Sequence, residues 1–225
     1  MRSTREFLQG LGLPAGDLHD LPTSGKRFPD GAQYRVEIPS VEGPRAMAAV
    51  LQEAEARKVR VHRISQGSGI MLQSRDEMKE MFRIGADCGI EVNLFVGPRA
   101  TYDTGGLTNS PLGNFLGWQV RGADQLSFAM EDVRYACELG LRSVLVADIG
   151  QISVIHDFKK QGLLPEDLVV KSSATLCPSN PATVRLLDEI GASTINVAGD
   201  LSPAQLGALR QVPDKAIDIY IEAPD

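Results

Sequence analysis

RIGADCGIEVNL (Arg83–Leu94), CELGLRSVLVAD (Cys137–Asp148) and DEIGASTINVAGD (Asp188–Asp200) repeat one phrase: the end of a helical run, a glycine, a short turn, then a run rich in β-branched residues. Glycine just past a helix takes the left-handed conformation that satisfies the last carbonyls, so each phrase reads as a helix-to-strand joint. Outward from these joints, strand-like runs fall at Tyr34–Pro39, Val59–Ser65, Ile90–Val96, Leu141–Asp148, Leu168–Ser173, Ser193–Ala198 and Ala216–Glu222. Helix-compatible segments lie between them, among them Arg45–Lys58, Ser74–Cys88, Ala123–Leu139, Ala182–Ile190 and Pro203–Val212. Strand and helix in alternation imply right-handed βαβ units and a parallel sheet. The spacing of the joints is too irregular for a solenoid.

The fold class expected is therefore α/β, a TIM-type (β/α)8 barrel with seven strands visible and the last unit missing. The alternative is a doubly wound open parallel sheet, which usually carries a glycine-rich phosphate loop after its first strand. Here that place reads PSVEGPRAM (Pro39–Met47), which has no such loop. Residues 1–32, rich in Gly, Pro and Asp after a short helix, read as an N-terminal arm or plug, and residues 33–225 as the barrel domain. A closed barrel needs an eighth strand. The expectation is a tail beyond Asp225, or a second copy that closes the gap and makes a homo-oligomer.

The helix starts carry capping signals. Ser74 with Glu77 forms a capping box, and Asn180–Pro181 and Ser202–Pro203 each set a capping side chain before a proline at the first helical position. Asp200 is expected to share in that capping.

Composition narrows the function. The chain has 225 residues, 43% hydrophobic and 23% charged, with a net charge of −6, which opposes a nucleic-acid backbone. No long apolar run spans a membrane, and the start MRSTREFLQGLGLP lacks a signal peptide's apolar core. The three cysteines, Cys88, Cys137 and Cys177, stand far apart and read as reduced thiols of a cytoplasmic protein.

Several strands are not the continuous apolar runs of a sheet buried on both faces. Tyr34, Val36 and Ile38 alternate with Arg35 and Glu37; Ile90, Val92, Leu94 and Val96 alternate with Glu91, Asn93 and Phe95; Ile217, Ile219 and Ile221 alternate with Asp218, Tyr220 and Glu222. Period two puts the apolar set against the helices and the polar set inside the barrel. Unpaired polar groups there would cost roughly 2–7 kcal/mol each, so they pair with one another or face a wet cavity. Barrel active sites occupy the C-terminal strand ends. Glu37, Asp148, Lys171 and Glu222 are the candidate catalytic residues, and Gln66, Asn93, Arg99, Ser172 and Asn196 the candidate substrate-binding residues. Arg35, Glu91 and Asp218 lie deeper and read as structural.

Lys171 admits two readings: an ion pair with a carboxylate such as Asp148, or a deprotonated amine that forms a Schiff base with a carbonyl substrate. Two acids with an amide are also the oxygen donors of a divalent-cation site, whereas His19, His62 and His156 form no transition-metal set. His156 is expected on a helix. The stretch from Gly97 to Gly122 is too long and too rich in Gly, Asn and aromatics for a bare link. It reads as a binding loop over the strand ends, with Arg99, Tyr102, Asn109 and Trp118 as contacts. QGSG (Gln66–Gly69) offers backbone N–H groups to an anion.

With these residues in place, the segment Lys171–Asp225 (KSSATLCPSN through IDIYIEAPD) resembles the collagenase-like peptidase family, an unassigned-type family of peptidases. The shared features are a strand with a serine-bearing end (Ser172–Ser173), an Asn that opens a helix (Asn180), a glycine-alanine turn (Glu189–Ala192) and a strand leading to a DLS helix start (Asp200–Ser202). The resemblance implies a barrel and a peptidase-type hydrolase. Family members usually run on into a glycine-rich, cysteine-bearing signature after the counterpart of IDIYIEAPD, and several relatives bind an iron–sulfur cluster there. Three scattered cysteines cannot build such a cluster in this chain alone.

The resulting expectation is a hydrolase of small-molecule or peptide substrates in which Glu37 or Glu222 activates water and Asn93 or Asn196 polarises the carbonyl. The rival enzyme reading is carbon–carbon lyase chemistry through Lys171. The non-enzyme reading is an accessory subunit that binds a metabolite or a partner protein.

Overall fold

The structure, a computed structural model, describes residues 3–97, 106, 108–111, 113 and 117–221. Seven strands form one parallel sheet in sequential order: β1 (Glu37–Ile38), β2 (Arg63–Gln66), β3 (Glu91–Phe95), β4 (Ser143–Val146), β5 (Val169–Ser172), β6 (Thr194–Asn196) and β7 (Ala216–Asp218). The helices are α1 (Thr4–Gly10), α2 (Pro44–Ala56), α3 (Arg75–Cys88), α4 (Gly122–Glu138), α5 (Ile149–Lys160), α6 (Pro181–Glu189) and α7 (Pro203–Arg210), with short 3-10 turns at Ile70–Leu72 and Ala174–Leu176. A sequential strand order has no switch point, so the doubly wound alternative is set aside in favour of a curled, incomplete barrel. Among the described residues no ladder joins β7 to β1.

The joints form as their glycines require. Gly89 caps α3 at φ 65°, and Gly191, at φ 107°, leaves no room for a Cβ, which would meet His156 Cβ at 2.7 Å. Ser74 and Ser202 complete capping boxes with Glu77 and Gln205, and the Asn180 side chain accepts from the Thr183 N–H. Asp200 takes no part in that capping. His156 lies on α5, as expected.

The core sits between the outer face of the sheet and the helices. Ile64, Leu94, Val144, Val146, Val170 and Ile195 are fully buried there, against Met47 of α2, Met78 and Met81 of α3, Val133 of α4, Ile152 and Ile155 of α5 and Leu187 of α6. A fully buried aliphatic side chain contributes roughly 1.5–3 kcal/mol, so this layer is the main source of stability. The N-terminal segment runs along the outside. The Leu18 N–H donates to the Ala204 carbonyl of α7 at 3.0 Å, and Arg185 of α6 donates to the Leu11 carbonyl at 2.6 Å. Among the described residues no helix is long and apolar enough to cross a membrane.

Candidate functional site

The inner face of the same strands carries the other half of the alternation. Register places Arg63 beside Glu37 and Glu91, Ser65 beside Asn93, Leu145 beside Lys171, and Asn196 beside Asp218. Side chains one residue apart point to opposite faces, so these residues share the interior.

Arg63 is the hub. Its Nε donates to Glu91 Oε1 at 2.8 Å, and its Nη1 lies 3.1 Å from Glu37 Oε2 and 3.3 Å from Asp218 Oδ2. Lys171, 5% exposed, places Nζ 2.5 Å from Glu37 Oε1 and 3.4 Å from Asp218 Oδ2. Arg63 on β2 and Lys171 on β5 thus both reach the edge strands β1 and β7, which requires the sheet to curl. Neutral donors fill the remaining positions. Ser65 Oγ donates to Glu37 Oε1, Asn93 Nδ2 to Ser143 Oγ at 2.6 Å, Ser143 Oγ to Glu91 Oε1, and Thr194 Oγ1 to Asp218 Oδ2 at 3.2 Å.

The charges shape one another. Burial alone would raise the Glu37 carboxyl, but Lys171 and Arg63 beside it, with the hydrogen bonds from Lys171 and Ser65, hold it below the ordinary value of 4.5. Burial likewise opposes the Arg63 charge, yet Glu91, Asp218 and Glu37 outweigh it and raise the pKa further. Glu37 is therefore a firmly ionised carboxylate and a weak base.

Toward the C-terminal strand ends the interior changes character. Phe95, Leu145 and Ala147 form a small apolar cluster separate from the main core, and Trp118 packs on it, with its ring 5.7 Å from that of Phe95 at a 45° tilt. Between this cluster and the ion network lies a cavity of about 160 Å³. Glu37, Ser65, Lys171, Ser173 and Thr175 make its polar wall and Phe95, Leu145 and Trp118 its apolar wall, and Gln66 and Tyr220 also line it. Tyr220 also borders an open groove of about 500 Å³ lined by Cys177, Gly199, Asp200 and Ile221.

Of the residues picked from sequence, Glu37, Lys171, Gln66 and Trp118 meet at this cavity. Asn93 is wholly buried beneath it, hydrogen-bonded to Ser65 and Ser143. Asn196 is 3% exposed, does not line the cavity, and its Oδ1 has no partner among the described residues. Asp148 is placed elsewhere. It caps α5, accepting the Gln151 N–H at 2.9 Å and the Val120 N–H at 3.3 Å, so Lys171 pairs with Glu37 and Asp218 and not with Asp148. Ser172 pairs in register with Val146 and Ile195, which puts it on the helix-facing side; Ser173 takes its place at the cavity. Arg35 is also outside the network, paired with Asp30 at 2.8 Å and stacked 4.2 Å above the Phe28 ring. The N–H groups of Gly67 and Ser68, read as an anion nest, donate to the Glu42 carboxylate of this same chain. Glu222, Arg99 and Tyr102 lie outside the described residues.

Arg63, Ser65, Ser173 and Asp218 are the members that sequence reading left out or treated as structural. Asp218 was visible as part of the seventh strand's polar set, and Ser173 follows from Lys171 by period two. Among the described residues no cluster of three His, Cys, Asp or Glu side chains could hold a metal ion, and Glu37 and Asp218 are already bound by two cations.

Fold and site together define a (β/α)-barrel protein whose charged interior opens at the C-terminal strand ends. No protein-family model matches the chain, and no curated protein does. Solved structures do share the fold. The U32 peptidase Mk0906 is similar with a TM-score of 0.55 at 16% identity, over 88% of this chain and 73% of that one. The YdjI aldolase from Escherichia coli K12 gives 0.56 at 15%, over 83% of this chain and 65% of that one. CutC from Streptococcus agalactiae gives 0.53 at 16%, over 82% and 86%. At these identities the likeness is one of fold, shared by proteins of different activities.

Proposed function

We propose that the cavity is the active site of a barrel enzyme that activates a carbonyl group, and that the reaction is hydrolysis of a peptide-type or other amide substrate. The observation that carries this reading is the placement of Lys171. Its ammonium is buried at the cavity wall, donates a hydrogen bond to Glu37 and forms an ion pair with Asp218 at 3.4 Å. An ammonium has three N–H donors, and one beyond these contacts serves a carbonyl oxygen seated in the cavity, where the negative charge of a tetrahedral intermediate develops. Glu37, held ionised, keeps the lysine head group in place. The fold likeness to a U32 peptidase and the resemblance of Lys171–Asp225 to collagenase-like peptidases support the peptide-type substrate.

The ion pairs also weigh against the lyase reading. Schiff-base formation needs Nζ free to attack a carbonyl carbon, and here it is held by ion pairs to two carboxylates. The two chemistries are separated by one pair of measurements. With a panel of amides and short peptides, Lys171→Met is expected to lower kcat/KM by about 100-fold or more, the usual cost of an oxyanion donor, and Lys171→Arg to restore part of it. Borohydride with candidate aldehydes and ketones is expected to leave Lys171 unmodified by mass. An unchanged rate in Lys171→Met would overturn the proposal, and a reduced adduct on Lys171 would replace it with the lyase reading.

A further inference from the structure

The two walls of the cavity differ in what they accept, and this difference selects a substrate class. On the apolar side, Phe95, Leu145 and Trp118 form a cluster that makes no part of the helix-facing core. The volume, about 160 Å³, is close to the roughly 150 Å³ in which an apolar protein cavity holds benzene. It accommodates one side chain of that size, and the rest of a longer substrate must lie outside, toward the open groove across Tyr220.

On the polar side the charges are spoken for. Three carboxylates, Glu37, Glu91 and Asp218, surround two cations, Arg63 and Lys171, and both cations already contact more than one carboxylate. A phosphate or a free carboxylate entering the cavity would bring a full negative charge to a cluster in which three carboxylates already outnumber two paired cations. A neutral carbonyl needs only one hydrogen bond.

From these two walls we infer that the substrate presents an uncharged acyl group bearing an apolar side chain of leucine-to-phenylalanine size, and that anionic substrates are excluded. The apolar side chain rests on Phe95 and Trp118, and its carbonyl faces Lys171. This specificity deepens the carbonyl-activation reading and rests on it, but it can be measured without turnover.

Trp118 is the chain's only tryptophan, so its emission reports on this wall alone. The probes are N-acetyl-phenylalaninamide, N-acetyl-leucinamide, N-acetyl-aspartic acid amide and phenyl phosphate, titrated into the whole protein with excitation at a wavelength that only tryptophan absorbs. The two apolar amides are expected to change Trp118 emission saturably, with Kd at least tenfold lower than for the two anions. Phe95→Ala is expected to weaken the phenylalanine amide about tenfold and to leave the two anions as weak as before. Equal or tighter binding of the anions, or no response to either apolar amide, overturns the inference; the ligand series on the unaltered protein decides this even if a variant fails to fold. Selective binding of apolar amides with no hydrolysis of any amide leaves the specificity standing and removes the hydrolase reading.

Discussion

The two faces of this sheet are built from the same seven strands and share almost no chemistry. On the outer face Ile64, Leu94, Val144 and Val170 are fully buried against helices. One residue away along each strand, Arg63, Ser65, Asn93, Ser143 and Lys171 are bound to one another and to Glu37, Glu91 and Asp218. The outer face is held by removal of apolar surface from water, which is indifferent to partner identity and to pH. The inner face is held by matched pairs, each of which loses its value when its partner goes. The cavity lies where the inner face gives way to the Phe95–Trp118 cluster, so the proposed chemistry sits on the face whose order depends on charge.

This contrast can be tested by single changes. The largest loss is expected for Arg63→Met, which removes the guanidinium shared by three carboxylates and leaves Glu91 without a cation among the described residues: about 3–5 kcal/mol of unfolding free energy, the range for removing one partner of a buried pair. Urea denaturation measures it, and a loss below 1 kcal/mol would mean that the inner face does not depend on its hub. On the outer face Leu94→Ala should cost about 3 kcal/mol through lost burial and the cavity left behind, with the same value at pH 4 and pH 7.

Acid should distinguish the faces further. The Glu37 pKa is depressed on folding, so its contribution is complete above the ordinary value of 4.5 and is lost as pH falls through the lower folded value. Glu37→Gln should therefore flatten the decline in stability below pH 4.5, as thermal melts across that range would show. An unaltered acid limb would assign the decline to other carboxylates.

Ser74→Ala, which removes a helix cap far from both faces, should cost about 1 kcal/mol at any pH above the carboxylate range. The smallest change concerns Asp132 of α4, whose carboxylate lies beside the end of β3 without a hydrogen-bond partner among the described residues. Burial raises it to about 6. An acid with a raised folded pKa binds a proton more readily when folded, so it destabilises the protein above pH 6, and the penalty fades as pH falls toward 3.8. Asp132→Asn should raise stability at pH 7.5 by somewhat under 1 kcal/mol, since partial solvent access reduces the full effect, and should change nothing near pH 3.5.

How much of this was legible in the chain depended on the strand. In β3 the alternation of Ile90, Val92 and Leu94 with Glu91 and Asn93 is clean, and the inward set follows from period two. The joints at Gly89 and Gly191 and the caps at Ser74, Asn180 and Ser202 were equally plain, because each depends on one residue's local chemistry. Around the start of β2, Arg60, His62 and Arg63 are all polar, so pattern alone does not say which of them faces inward, and the hub stayed hidden. Lys171, Ser172 and Ser173 pose the same difficulty, although accepting Lys171 as inward selects Ser173 over Ser172. Asp148 was misleading for another reason. It stands two residues past β4 with Gln151 three places on, a helix cap that also looks like an acid at a strand end. Pairing across the barrel, such as Arg63 with Asp218, joins residues far apart in the chain and leaves no local trace.

Glu37 and Asp218 stand on strands at opposite edges of the sheet, yet both lie within reach of the Arg63 and Lys171 head groups. In mechanical terms the curl behaves as a hoop fastened by a clasp. Six rows of backbone bonds keep neighbouring strands in line, but along the seam between β1 and β7 the described residues offer side-chain contacts only. A force that spreads those two strands loads a few ion pairs one after another, while every other boundary shares its load along a ladder. The hoop therefore widens first at that seam, and its curvature is set by how far two cationic side chains can reach.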